Sequence, residues 1–173
     1  MAGNLELIDK TEITSSVSSV DITDVFSAKY DVYKIVTNGI EDTTNTPSLQ
    51  IRFINSSGSV VSASNYDYAY LNMRTEAGFS ENNATNETYI RGIFAFSSAT
   101  DTQGSVAYIF NPYSSSSYTF SLYQMSSVNT TLRSTKGIGV LKQSVSMTGF
   151  QLFDIDNTDF SEGVIKTYGL ASN

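Results

Sequence analysis

Short runs of strand-forming residues, each ended by a turn signal, constrain the fold of this chain more than any other feature. The segment 32–37 (VYKIVT) has strand composition and is followed by Asn38-Gly39, a dipeptide typical of tight turns. The segment 49–54 (LQIRFI) precedes Asn55-Ser56-Ser57-Gly58, which predicts a hairpin with Gly58 at positive φ. Successive side chains of a strand point to opposite faces, so residues two positions apart share a face. The chain is therefore predicted to be built from strands.

The same composition recurs to the C-terminus. Turn signals separate the segments at short intervals, and roughly ten strands at such spacing predict an all-β fold, a single antiparallel β-sandwich of the jelly-roll type. Pro47 and Pro112 both fall in predicted turns, and the polar segment 81–87 (ENNATNE) is predicted to be a loop. The further predicted strands are 66–73, 89–96, 106–110, 118–123, 137–141, 145–153 and 164–168.

The N-terminal part allows more than one interpretation. The segment 14–26 repeats Ser-Ser-Val, which is typical either of a low-complexity linker or of a strand in which Val17 and Ile22 pack inward and a turn then positions Phe26. We favour the strand. Residues 1–12 are predicted to form an anchoring arm or an edge strand, because 4–8 (NLELI) alternates and could add to a neighbouring sheet. Residues 13–173 then form the sandwich domain.

Composition excludes several functional classes. The chain has no Cys and no His, so thiol nucleophiles, disulfides and imidazole chemistry are absent. Its net charge is −7 with only 10 scattered basic residues, which argues against nucleic acid as a partner. No apolar run has the length of a membrane-spanning helix, and the N-terminal residues lack the pattern of a signal peptide. We therefore expect no membrane partner and synthesis in a cytoplasm.

Five tyrosines are candidates for an interface or a ligand face. Tyr66, Tyr68 and Tyr70 share one face of a predicted strand, although Tyr66 and Tyr70 also fall at helical spacing. Together with Tyr113 and Tyr118 they could form an aromatic platform that stacks on sugars or anchors a protein partner. The alternative is that about half of them line the core.

The densest group of carboxylates is Asp154, Asp156 and Asp159, and oxygen ligands of this kind suit Ca²⁺. The spacing departs from an EF-hand loop, because Asp159 stands where glycine makes the turn and Ile165 where the bidentate glutamate belongs. A solvated turn explains these residues equally well. No metal or cofactor is predicted.

The sequence does not predict an enzyme. A glycosidase needs two carboxylates that face each other across a groove. Asp31, Asp67, Glu76, Glu87 and Glu162 supply candidates, but their spacing selects no pair. The chain also has no Gly-x-Ser-x-Gly elbow and no histidine to activate a serine.

Seven segments spread over nearly the whole chain are similar to those of one family: 17–26, 30–36, 52–58, 64–70, 111–118, 136–139 and 167–170. In these segments the chain resembles the small β-sandwich virion structural proteins of tailed bacteriophages, notably those that infect aquatic bacteria. The resemblance implies a protein made in the host cytoplasm that works in the virion.

The resemblance leaves two structural roles open and a third, remote one. The first is a capsid decoration or cement protein on the outer head surface, with itself (as trimers) and the major capsid protein as partners. The alternative is a tail or fibre component that recognises a host-surface glycan through the predicted loops 81–87 and 100–104, and the third is a carbohydrate-active enzyme. Decoration predicts one broad apolar patch that is either self-complementary or faces the capsid, whereas glycan recognition predicts a polar groove with two or three exposed aromatic rings.

Overall fold

The structure is a computed structural model that describes residues 5–42, 49–94, 103–129, 131–155 and 159–171. These residues form twelve strands and no helix, and hence no helix able to cross a membrane. The predicted all-β sandwich is confirmed, with two strands more than the rough count of ten. The strands are β1 (Leu5–Ile13), β2 (Ser19–Ile22), β3 (Val32–Asp42), β4 (Leu49–Asn55), β5 (Tyr66–Arg74), β6 (Gly78–Glu87), β7 (Ile90–Phe94), β8 (Gly104–Phe110), β9 (Thr119–Asn129), β10 (Thr131–Leu141), β11 (Met147–Phe153) and β12 (Phe160–Leu170).

The strands form two sheets of unequal width. The large sheet has eight strands in the order β1-β12-β3-β8-β9-β10-β5-β6, and the small sheet has four in the order β2-β11-β4-β7. Each pairing between these strands is antiparallel. The small sheet packs against one face of the large sheet, and the opposite face of the large sheet is left without a covering sheet.

Aromatic and branched aliphatic side chains from both sheets form the core. The Phe26 ring lies edge-on to Tyr33 at 4.7 Å and stacks on Phe150 at 5.9 Å, so one loop residue joins β3 to β11. Ile22 and Phe26 are buried and Val17 packs against the core. The predicted inward packing of the segment 14–26 is confirmed.

Two predictions about turns have different outcomes. Gly58 has a φ of 78° in the turn after β4, as predicted. The predicted turn at Asn38-Gly39 is wrong, because β3 continues to Asp42. Between the pairs Asn38↔Val164 and Glu41↔Glu162, β3 contains one residue more than β12, which is a β-bulge. Gly39 lies in this bulge and has a φ of 59°. A bulge needs positive φ just as a tight turn does, so the dipeptide alone does not distinguish them.

The predicted loop 81–87 is also wrong, because it lies within β6, an edge strand of the large sheet. β6 pairs only with β5 and most of its side chains are exposed. Hydrogen bonds along the backbone therefore hold this strand, and it shows no apolar alternation. Polar edge strands of this kind resist unwanted pairing.

The opposite edge of the large sheet is β1. It pairs with β12 of the same chain, from Leu5 opposite Leu170 to Ile13 opposite Gly163. An arm that adds to a neighbouring chain stays a prediction, and residues 1–4 lie outside the described range. Pro112 lies in a turn, as predicted, whereas Pro47 and positions 100–102 of the predicted loop 100–104 are also outside the described residues.

Candidate functional site

The centre of the large sheet carries apolar side chains on the side that faces away from the small sheet. On β9, Phe120 and Leu122 are 44% and 40% exposed, whereas their neighbours Ser121 and Tyr123 are buried. Ile138 on β10 lies directly opposite Leu122 and is 58% exposed. The solvent side of an antiparallel sheet is ordinarily polar. These side chains therefore mark a surface suited to a partner.

The ladder registers show how far this surface extends. Tyr108 and Phe110 on β8 lie opposite Leu122 and Phe120, and Leu71 on β5 lies opposite Lys136 on β10. Residues directly opposite in a ladder share a face. We call this surface the outer face; its apolar members are Leu5, Leu7, Val32, Val36, Ala69, Leu71, Met73, Phe79, Val106, Tyr108, Phe110, Phe120, Leu122, Val128, Leu132, Ile138, Val140, Val164, Tyr168 and Leu170.

Part of the outer face is concave. An open groove of about 560 Å³ is lined by Ala69, Phe110, Phe120, Ile138 and Val140, among others. A second depression of about 320 Å³ shares Ala69 and Ile138 with it and extends over β6. The two depressions adjoin over β9, β10, β5 and β6, and their lining also includes Asp67, Glu81, Asn83 and Lys136.

Charged side chains interrupt the outer face at Lys10, Glu12, Lys34, Asp67, Glu81, Lys136 and Lys166. Asp67, which lines the groove, forms an ion pair with Lys142 at 2.8 Å. Hydrogen bonds from the Lys142 ammonium and from the Asn86 backbone N–H hold the pKa of the Asp67 carboxyl below its usual value. Lys166 on β12 and Glu81 on β6 take part in none of the ion pairs found among the described residues.

The structure separates the five candidate tyrosines. Tyr66 is fully buried; its hydroxyl accepts a hydrogen bond from the Phe53 N–H at 3.0 Å and donates one to the Val61 carbonyl at 2.9 Å. The rings of Tyr68 and Tyr70 stack at 6.0 Å on the inner side of the large sheet, and Tyr68 is buried. Burial raises the pKa of Tyr66 and of Tyr68, which keeps both phenols neutral. A ligand could not stack on Tyr66 without opening the core.

Tyr113 and Tyr118 lie apart from these three. Both are in the connection between β8 and β9 and are 39% and 44% exposed. Their use as a ligand or interface face stays a prediction.

Sequence reasoning missed an arginine–aromatic cluster on the outward side of the small sheet. The Arg52 guanidinium lies 4.1 Å from the centre of the Phe153 ring, and Tyr89 meets the same ring edge-on at 5.8 Å. Arg52 Nε also donates a hydrogen bond to the Thr88 carbonyl at 3.0 Å. The three residues are far apart in the sequence, so no local pattern could have revealed them.

The candidate carboxylates do not gather into a site within the described residues. Asp154 is buried, Asp159 accepts a hydrogen bond from Ser16 at 2.7 Å, and Asp156 lies outside the described range. No group of three potential metal ligands occurs in that part of the chain. Among the glycosidase candidates, Asp67 pairs with Lys142 and Glu76 with Arg133, on different parts of the sheet.

Glu162 has an acidic neighbour instead. It lies opposite Glu41 beside the β3 bulge. Partial burial, the Glu162 charge and a hydrogen bond with it raise the pKa of Glu41.

Comparison with known proteins places this chain in no family. No protein-family model and no curated protein matches it. The structure of an alginate lyase mutant in complex with an alginate tetrasaccharide aligns over 93% of this chain and 78% of its own, with 11% identity and a TM-score of 0.33. At so low a TM-score the alignment carries no argument about fold or activity.

Proposed function

We propose that this protein is a non-enzymatic structural protein of a tailed-phage virion, bound in many copies to the outer surface of the head as a decoration or cement protein. The observation that carries the proposal is the outer face, where Phe120, Leu122 and Ile138 are exposed at the centre of a wide sheet. Decoration calls for one broad apolar patch, whereas a glycan site calls for a polar groove. The resemblance in the sequence supplies the virion as the setting.

The physical role follows from burial of that face. Exposed apolar side chains grouped on one face of a sheet favour a protein partner. A protein that binds only the assembled shell stabilises the shell by mass action, because disassembly must first release the bound copies. Many copies bound over a head would strengthen it through the contact area that they bury, without catalysing a reaction. The low content of charged residues, 16%, suits such close packing.

One observation favours the second candidate, a tail or fibre component that binds a host glycan. Tyr113 and Tyr118 are both exposed within a single connection, as a sugar-stacking platform requires. The groove on the outer face is apolar, however, and apolar walls do not match the hydroxyl groups of a sugar. We therefore rank decoration first.

Labelling of intact particles tests the proposal. Antibody raised against this chain, coupled to gold, is located by electron microscopy, and the copy number is measured by quantitative mass spectrometry of the same particles. Decoration predicts label over the whole head in a copy number comparable with that of the major capsid protein. Label confined to the tail in few copies would support the glycan-binding candidate, and absence of the protein from purified particles would refute both.

A further inference from the structure

An open depression lies at one end of the sandwich, apart from the two depressions of the outer face. Its volume is about 210 Å³, and its lining includes Ser27, Tyr30, Asp31, Asn111, Tyr113 and Ser114, none of which lines the other two. Asp31 directly precedes β3, and Asn111 directly follows β8. Because β3 and β8 are neighbours in the large sheet, the fold brings the two walls of this depression together.

Hydrogen bonds hold the backbone of both walls. The Asn111 N–H donates to the Asp31 carbonyl at 2.7 Å, which joins one wall to the other. The Tyr113 carbonyl accepts a hydrogen bond from the Ser146 hydroxyl at 2.8 Å. Asn111 has a φ of 55°, a conformation that is uncommon for residues other than glycine. A ligand in this depression would therefore meet a backbone that is already ordered, which lowers the entropic cost of binding.

Two polar side chains of the depression remain available to a ligand. Neither the Asp31 carboxylate nor the Asn111 amide makes a hydrogen bond or an ion pair with another side chain among the described residues. A carboxylate accepts hydrogen bonds, whereas an amide group both donates and accepts them. The Tyr113 ring is 39% exposed and adds an apolar surface beside these two groups.

We infer that this depression binds one uncharged pyranose ring of a saccharide. Each sugar hydroxyl donates and accepts hydrogen bonds, so neighbouring hydroxyls match the carboxylate of Asp31 and the amide of Asn111. The C–H face of the sugar ring is apolar and can stack on Tyr113. Pockets for drug-sized ligands measure roughly 300–1,000 Å³, so the smaller volume here suits a single ring. An acidic sugar fits less well, because Asp31 would repel its carboxylate.

Other small ligands match less of the lining. Calcium takes about six to eight oxygen ligands, commonly with several carboxylates, and Asp31 is the one carboxylate that lines this depression. Organic ammonium ions bind in cages of several aromatic rings. Tyr113 offers one such ring, whereas Tyr30 is buried.

The inference goes beyond the proposed function, because it adds a ligand site away from the surface proposed to bind the head. One sugar ring held by few hydrogen bonds is expected to bind with a dissociation constant of about 1 mM. Many copies on one particle would raise the apparent affinity for a surface that carries many such sugars. That gain in avidity rests on the proposed function, whereas the site in the single chain does not.

Nuclear magnetic resonance of the ¹⁵N-labelled chain tests the site. The probes are four uncharged methyl glycosides, those of glucose, galactose, mannose and N-acetylglucosamine, each added to about 10 mM, well above the expected dissociation constant. At least one should shift the backbone amide signals of Ser27, Asp31, Asn111 and Ser114 in a saturable manner. The amide signals of β6, on the far edge of the large sheet, should not move.

Substitutions in the depression should weaken that binding. Tyr113→Ala removes the stacking surface and should raise the dissociation constant about tenfold. Tyr118→Ala is the matched control, because it removes an equally exposed ring from the same connection but not from the depression, and it should have no effect. Asp31→Asn keeps the shape and removes the charge, so it should weaken binding at least about tenfold, whereas Glu81→Gln on β6 should not.

Three results overturn the inference: no shift with any of the four glycosides, equal losses with Tyr113→Ala and Tyr118→Ala, or shifts at these amides only with calcium or tetramethylammonium ions. The titration of the wild-type chain decides the question even where a variant fails to fold. Particle labelling judges the proposed function separately. A chain that binds a glycoside but is absent from the head refutes decoration alone, and a head protein that binds no glycoside refutes the sugar site alone.

Discussion

At the scale of residues, buried tyrosine hydroxyls join the two sheets. Tyr66 on β5 of the large sheet bonds to the Phe53 N–H on β4 of the small sheet. Tyr123 on β9 donates to the Arg91 carbonyl on β7 at 3.0 Å. Burial raises the pKa of both phenols, so both remain proton donors. A phenylalanine would fill the same space and leave these backbone groups without a partner.

Tyr66→Phe should therefore lower the free energy of unfolding by about 1–3 kcal/mol, the cost of leaving buried polar groups unpaired. Urea denaturation at a fixed protein concentration measures the change. Tyr113→Phe, at an exposed ring, is the matched control and should have little effect. Equal effects of the two substitutions would show that the Tyr66 hydroxyl does not stabilise the fold.

Two glycines on β10 explain why Ile138 faces outward. A Cβ on Gly137 would lie 2.3 Å from the buried Tyr123 ring, and one on Gly139 would lie 2.8 Å from Ile90. Large side chains from β9 and β7 thus fill the space that an inward residue of β10 would occupy. Glycine is required on the inner side, and the apolar residues of β10 are left on the outer face.

Gly137→Ala should destabilise the fold by about 1–3 kcal/mol, because Tyr123 must move out of a packed position. Gly104→Ala is the control, since a Cβ there meets only the Thr37 carbonyl oxygen at 3.9 Å. Thermal unfolding followed by circular dichroism should show a lower midpoint for Gly137→Ala alone. A midpoint equal to that of the wild type would show that the core beside Gly137 accommodates an added methyl group.

At the scale of elements, composition predicted most strands but not which way they face. The segment 118–123 has apolar residues at both parities, Phe120 and Leu122 against Tyr123, so its sequence does not identify the buried side. β6 was missed because backbone pairing at an edge leaves no apolar period. The bulge at Gly39 was missed because it uses the same residues as a turn. The outer face therefore could not be predicted, although the sandwich could.

The β3 bulge makes stability depend on pH through Glu41. Its pKa is raised in the folded state, so its stabilising contribution is present below the ordinary glutamate pKa and is lost as pH rises through the folded value. Glu162→Gln removes the neighbouring charge, which is one of the causes of that shift. The variant should have a higher unfolding midpoint than the wild type at pH 7, and the difference should disappear below about pH 4, where Glu41 is protonated and no longer repels a neighbouring charge. A difference that is the same at both pH values would exclude repulsion between these carboxylates.

At the scale of the whole molecule, the unequal width of the two sheets leaves one face of the large sheet available for a partner. Four strands cover the inner side of eight, and the core is complete on that side. The other side of the large sheet keeps apolar residues that folding does not bury. The outer face, through which we propose that the protein assembles, could not be identified from the sequence, because it is formed by residues from eight separate strands.

Hydroxyl-radical footprinting of the protein free in solution and bound to intact particles tests most directly whether the outer face is an assembly surface. We predict that Phe120, Leu122 and Ile138 react more slowly in particles than in the free protein, while the exposed side chains Tyr113 and Val145, outside the outer face, react at the same rate in both states. Equal reaction rates in both states for all five side chains would contradict the account, because the apolar face would then remain in contact with water.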